Sequence, residues 1–408
     1  MTDGPPTPST PGEVAADGSL AALLDRDPQL WRSALDRRYH VLDDVLAGRR
    51  RAVIYPAARM GRDAASRLRS TGVDVVAFGD RDPTLQGSEI DGLPVLSPAE
   101  VSAKHQADVI LVASTMYDSA ICEDLEARGC GSVVPVGYLT FRLPEVFRSR
   151  EYDGAWHAVA DPANRADIEA AHALFADGES RRVFEGKLGY YLRLDKALLD
   201  AIRSTATIYF DRSVYELGDD EVVVDGGAYV GDTLATFLEQ SAGRFGSYVA
   251  FEPDPVSFTT LDTVAASDRS RITAVQAGLA SRTSTARFLS THGADAHVLV
   301  GPGSGGESVP VVSLDEYFEG RPAPTMIKLD IEGAEADALS GARGLLASAP
   351  PLLAISAYHH PADLWTLPLL MRQYMPGSRL YLRHYTREVD DTVCYAIPDR
   401  RPTSGPHG

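Results

Sequence analysis

Basic residues are scarce in this chain of 408 residues: 39 Lys and Arg stand against 57 Asp and Glu, for a formal net charge of −18. Nucleic acids are held largely through neutralised phosphates, so this balance disfavours them as partners. Cysteine is scarcer still. Cys122, Cys130 and Cys394 show no metal-like spacing and build no disulfide framework, which fits a reducing compartment. Long apolar runs are missing too: none approaches the ~20 residues that cross a bilayer, and the N-terminus lacks a basic-then-apolar leader pattern. The expectation is a cytoplasmic protein with no membrane and no nucleic-acid partner. The 44% of hydrophobic residues is still enough for ordinary cores.

What is present falls into blocks. Residues 1–18, rich in Pro, Thr, Gly and Ser, are expected to form a disordered tail, and 401–408 a second tail. Residues 19–48 place Leu23, Leu30, Trp31, Leu35, Leu42 and Val45 at helical spacing, with a restart at Pro28. Residues 49–140 alternate strand patterns (52–55, 73–78, 108–113, 132–136) with helical ones (62–70, 117–128), which predicts a small Rossmann-like α/β domain with a parallel sheet. Its first turn, Pro56-Ala57-Ala58-Arg59-Met60-Gly61, keeps only the last glycine of a dinucleotide fingerprint. It reads as a degenerate scaffold serving packing, homodimer contact or substrate binding. Residues 141–215 read as a helical linker or cover, with helices over 166–175 and 192–202.

From 216 to 400 a longer α/β unit follows, with strands expected at 221–225, 247–252, 272–277, 326–330, 352–357, 379–385 and 392–397. The last two are joined only by 386–391, so a reversed hairpin should close an otherwise parallel sheet. The glycine-rich stretch 301–306 has no strand-to-helix context and is expected to be a flexible loop.

Three clusters in this unit carry chemistry. Asp225-Gly226-Gly227-Ala228-Tyr229-Val230-Gly231-Asp232-Thr233 runs from a buried strand through a glycine turn into a helix. Such a turn lets backbone approach a ligand and aims helix N–H groups at it. Glu252, followed by Pro253, closes the next strand 27 positions after Asp225, where an acid reaches a ribose diol. Both acids have a duller reading, as a strand-end cap and as an exposed acid before proline. Lys328-Leu329-Asp330-Ile331-Glu332-Gly333-Ala334-Glu335 and Tyr358-His359-His360-Pro361 end two further strands at the same crevice. Asp330, Glu332, His359 and His360 could position an acceptor, take its proton or ligate a divalent cation. Glu335 reads as a cap of a helix over 334–346.

The Asp-x-Gly-x-x-x-Gly turn with its later Glu resembles the S-adenosylmethionine (SAM) site of class I methyltransferases. With the other runs in order, residues 209–398 resemble the FkbM family of SAM-dependent methyltransferases. The resemblance implies a class I fold, a Rossmann-like sheet with a reversed terminal hairpin, behind the smaller N-terminal α/β domain. It implies SAM over Asp225, Gly226, Gly227, Ala228, Gly231, Asp232 and Thr233, with Glu252 and Pro253 at the ribose and Gly278 near the adenine. Asp330 then stands between donor and acceptor, and the acceptor is a hydroxyl of a sugar, polyketide or other natural product. A metal such as Mg²⁺ is left open, with Asp330, Glu332, His359 and His360 as its candidates. A non-catalytic nucleotide-sugar or SAM-binding module, and a nucleic-acid methyltransferase, are the rival readings.

Overall fold

The structure is a computed structural model that describes residues 19–289, 298–300 and 307–399. Both expected tails and the glycine-rich stretch 301–306 lie outside the described residues. The chain forms two compact units assembled from separated segments. One takes residues up to Ala166 with Arg182–Arg203 and Thr386–Asp390, and the other takes Asp167–Arg181, Ser204–Tyr385 and the residues from Asp391. No helix among the described residues is long and apolar enough to cross a membrane.

The first unit opens with short helices at Leu20–Asp25, Pro28–Arg38 and Val41–Leu46, the second started by Pro28 behind an Asp27 cap. Its six-stranded sheet contains β1 (Ala52–Tyr55), β2 (Val75–Gly79), β3 (Glu89–Ile90), β4 (Leu93–Leu96), β5 (Val109–Val112) and β6 (Val133–Val134), in the order β3-β4-β2-β1-β5-β6. All pairs but β3–β4 are parallel. β1 and β5 are buried at every position, as expected of strands covered on both faces. The hairpin β3–β4 and the helix Pro98–Lys104 were not expected from the pattern. That helix is started by a capping box in which Ser97 and Glu100 bond each other's backbone N–H.

In the second unit the sheet has seven strands: β7 (Val222–Gly226), β8 (Ser247–Phe251), β9 (Ile272–Val275), β14 (Met326–Leu329), β15 (Leu352–Ser356), β16 (Ser378–His384) and β17 (Thr392–Pro398), ordered β16-β17-β15-β14-β7-β8-β9. β17 runs antiparallel to both its neighbours, and the pairs from β15 to β9 are parallel. This is the parallel sheet with a reversed terminal hairpin that the sequence predicts. Between β9 and β14 the chain builds a second sheet, ordered β10-β13-β11-β12, from β10 (Gly278–Leu279), β11 (Ser284–Leu289), β12 (Val298–Val300) and β13 (Glu307–Val312).

Two helical expectations are corrected. The single helix over 334–346 is two, Glu335–Ser340 and Arg343–Ser348. The Gly341 carbonyl that would continue it accepts instead from Asp315 N and Ser313 Oγ, both at 2.8 Å. The helix over 192–202 is really Lys196–Ile202, capped by Asp195. Leu194, at φ +49°, separates it from the helix Gly178–Arg193.

Candidate active site

Parallel strands bring their carboxyl ends to one edge of the sheet, and the residues just beyond β7, β8, β14 and β15 meet there. The turn after β7 is tied down from β8: the Phe251 carbonyl accepts from Gly227 N and Ala228 N, each at 3.0 Å. Glu252 accepts from Tyr229 N at 2.9 Å and from Asp254 N at 2.8 Å. Gly227 and Gly231 have φ of +72° and +92°, and Tyr229 is left-handed as well at φ +46°. The helix Asp232–Gln240 starts behind Gly231 with no side-chain cap. A Cβ on Gly227 would fall 1.9 Å from the Asp330 carbonyl oxygen. Gly227→Ala is therefore expected to cost at least ~1–3 kcal/mol in strain and overpacking, read as a lowered unfolding midpoint.

Glu252 is buried beneath this turn, and burial pushes its carboxyl up to about 7 despite the two backbone donors. Asp225 does not reach the surface. Its side chain is fully buried, with Oδ1 at 2.9 Å from Lys328 Nζ and Oδ2 accepting from Tyr248 at 2.7 Å. That carboxylate is anchored inside the sheet, at the strand end from which the glycine turn leaves. Pro253 is half-buried next to the helix Pro255–Ala265, which Asp254 caps. Gly278 is a buried residue of β10, paired in parallel with Val311.

The second cluster follows β14. Asp330 Oδ2 accepts from Tyr209 at 2.8 Å and Oδ1 from Tyr358 at 3.0 Å, while Tyr209 also bonds Ser356 Oγ at 3.2 Å. Burial works against ionising Asp330, but Lys328, His359 and the hydroxyls of Tyr209 and Ser356 hold its carboxyl below the usual value. Glu332 and Gly333 are both left-handed, at φ +60° and +93°, which turns the chain sharply. Glu335 closes that turn by accepting from Ile331 N at 2.8 Å and Gly333 N at 3.4 Å.

His359 is 1% exposed and sits among three carboxylates. Its Nδ1 is 3.0 Å from Glu335 Oε1, and its Nε2 is 3.4 Å from Asp330 Oδ1 and 3.7 Å from Glu332 Oε2. Burial pushes its pKa down, but Glu335, Asp330 and Glu332 more than reverse this and hold it up at about 10. At that value the ring holds its proton at neutral pH as long as no cation enters the cluster. His360 points the other way. It is exposed, its N–H donates to Asp363 at 2.8 Å, and its ring lies over Gly333.

The structure thus brings together Asp330, Glu332 and His359 of the expected residues and leaves His360 beside them. It adds Tyr209, Ser356, Tyr358 and Lys328, and it moves Glu335 from a plain helix cap into the cluster. Among the described residues, the groups able to ligate a cation within 4.8 Å of one another are Asp330, Glu335 and His359, so Glu332 and His360 fall outside that set. Register ties the two clusters together, since Leu329 pairs with Gly226 and Asp330 N donates to the Gly226 carbonyl at 3.1 Å.

The parallel sheet with a reversed terminal hairpin, with a glycine turn backed by a buried acid after its β7, has the architecture of the class I SAM-dependent methyltransferase fold. The family model for the methyltransferase FkbM domain matches residues 225–387, which lie in the second unit but for Thr386 and Arg387. Residues 48–132 match the family described as C2185-like, N-terminal. The crystal structure of methyltransferase FkbM from Methylobacillus flagellatus KT is similar at a TM-score of 0.70 and 24% identity, covering 91% of this chain and 100% of that one. Aeropyrum pernix fibrillarin, solved with natively bound SAM, gives a TM-score of 0.31 at 14% identity, over 46% of this chain and 71% of that one. No curated protein sequence matches this chain.

Proposed function

We propose that the protein is a SAM-dependent O-methyltransferase acting on a hydroxyl of a small molecule. The observation that carries this reading is the adjacency of the two clusters on β7 and β14, which lets one ligand lie over the glycine turn while another meets Asp330. The turn fits SAM: Glu252 is a buried acceptor beside it, and the uncapped start of the helix Asp232–Gln240 suits the carboxylate of an amino acid. When bound, SAM supplies an electrophilic methyl group. The residues of this chain then orient and shield. Glu252 receives the ribose hydroxyls, Asp330 accepts the hydrogen bond of the acceptor hydroxyl and draws off its proton, and Tyr209 and Tyr358 hold that carboxylate in place. Alignment should supply much of the acceleration, because displacement at a methyl group is in-line. The net charge of −18 argues against a nucleic-acid acceptor.

Glu252→Ala is expected to weaken S-adenosylhomocysteine (SAH) binding by roughly ten- to a hundredfold, the loss of charge-assisted bonds worth ~1.5–3 kcal/mol. In the unaltered protein, affinity should climb as pH rises through about 7, because only the ionised carboxylate is a full acceptor. Calorimetry showing parent-like affinity in the variant refutes the ribose assignment. For the acceptor, the protein is incubated with methyl-labelled SAM and a small-molecule extract. Label in a methyl ether supports the reading, and label on nitrogen, carbon or RNA overturns it.

A second reading adds a divalent cation held by Asp330, Glu335 and His359, favoured by their spacing. The protonated His359 already places a positive charge among these carboxylates. Label transfer that survives chelation rejects the cation, and loss restored by Mg²⁺ supports it.

A further inference from the structure

We propose that Lys328 is a positioning residue that holds the donor turn in its ligand-receiving shape and links it to the acceptor carboxylate. This rests on SAM binding at the turn. β14 is otherwise apolar, with Met326, Ile327 and Leu329 all buried, yet Lys328 stands among them 2% exposed. Burying a charge there is not a device for stability, since well-packed apolar replacements of buried ion pairs are often neutral or stabilising. Its contacts indicate another use. Nζ donates to the Gly227 carbonyl at 2.9 Å and the Gly226 carbonyl at 3.2 Å, and pairs with Asp225 Oδ1 at 2.9 Å.

Phe251 and Glu252 grip the N–H groups of the turn from β8, so Lys328 grips its carbonyls from β14. At φ +72°, Gly227 has left the strand conformation, and its carbonyl finds in Lys328 a donor that the sheet ladder does not supply. The ammonium also lies 5.2 Å from the centroid of the Tyr209 ring, whose hydroxyl donates to Asp330. One buried cation therefore touches the backbone under the donor and the ring that sets the acceptor carboxylate.

The test is SAH calorimetry on Asp225→Asn/Lys328→Met, which removes both charges and strands neither, with Asp225→Asn alone as its control. The double variant should fold, by thermal unfolding, yet bind SAH at least tenfold more weakly than the parent, and more weakly than the single variant. A folded double variant with parent-like affinity, or a loss no larger than in Asp225→Asn, overturns the proposal. Should the double variant fail to fold, ¹⁵N NMR of the unaltered protein decides. SAH should shift the Lys328 ammonium signal, and an unmoved signal overturns the proposal. If the unaltered protein binds no SAH, it is the SAM reading that fails.

Discussion

Turnover is expected to fall ~10²–10⁴-fold on Asp330→Asn while SAH affinity is retained, the range for losing a positioned proton acceptor. The substitution preserves shape and keeps one acceptor oxygen, so Tyr209 or Tyr358 can still bond there. What it removes is charge. Asp330 is held ionised because Lys328, His359 and the hydroxyls of Tyr209 and Ser356 outweigh the cost of its burial. An ionised carboxylate draws the hydrogen of an acceptor hydroxyl and raises the density on its oxygen as the methyl group arrives, and an amide does neither. His359 cannot substitute, because it keeps its proton at neutral pH. The measurement is label incorporation from SAM into the methylated fraction of the extract, set beside calorimetric SAH affinity. Near-parent incorporation removes Asp330 from the chemistry; equal losses of affinity and incorporation assign it to donor binding instead.

The parallel strands were legible because their burial on both faces leaves uninterrupted apolar runs, as in Val222-Val223-Val224 and Leu352-Leu353-Ala354-Ile355. The strands that escaped notice lack that signature. β4 contains Pro94 and β13 contains Pro310, and proline argues against a strand unless its position needs no ladder N–H. Both prolines are exposed. The split at Gly341 was hidden for a different reason: helical periodicity runs through it, and only tertiary bonds to its carbonyl stop the helix.

In the site, strand-end logic reached Asp330 and the histidine pair but could not choose between His359 and His360. Successive residues leaving a strand face opposite ways, so one histidine turns into the carboxylates and the other out to solvent. Tyr209 lies 121 residues from Asp330 in a segment that offered several aromatics with nothing to rank them. Its left-handed backbone, φ +63°, is a feature of the fold alone. Lys328 looked like one more residue of a strand motif, and its role emerged only when register set it against Asp225. Glu335 does satisfy the turn before its helix as the capping pattern implies, and the fold makes the same carboxylate face His359.

The largest stability effect should come from His359. In metal-free, chelator-treated protein, His359→Leu is expected to destabilise the fold by ~3–5 kcal/mol, the cost of breaking a buried ion pair from one side. The loss falls chiefly on Glu335, which is 1% exposed and faces Nδ1, with Asp330 and Glu332 facing Nε2 and Asp363 also within electrostatic reach of the imidazole. The pH dependence carries the signature. The folded-state pKa, about 10, lies above the ~6.5 of an unfolded histidine. The imidazolium's contribution is therefore whole below pH ~6.5 and drains away as pH rises through about 10, above which folded and unfolded chains come to bind equal numbers of protons at this site. Denaturant unfolding between pH 6 and 10 should show stability falling in the parent, with a much flatter profile in His359→Leu. Asp363, which burial raises to about 7, adds a slope of the same sign at the acidic end and remains in the variant. The diagnostic window is thus pH 8–10. Parallel profiles there would mean that His359 is neutral in the fold, and a neutral imidazole at Asp330 would reopen its place as the proton acceptor.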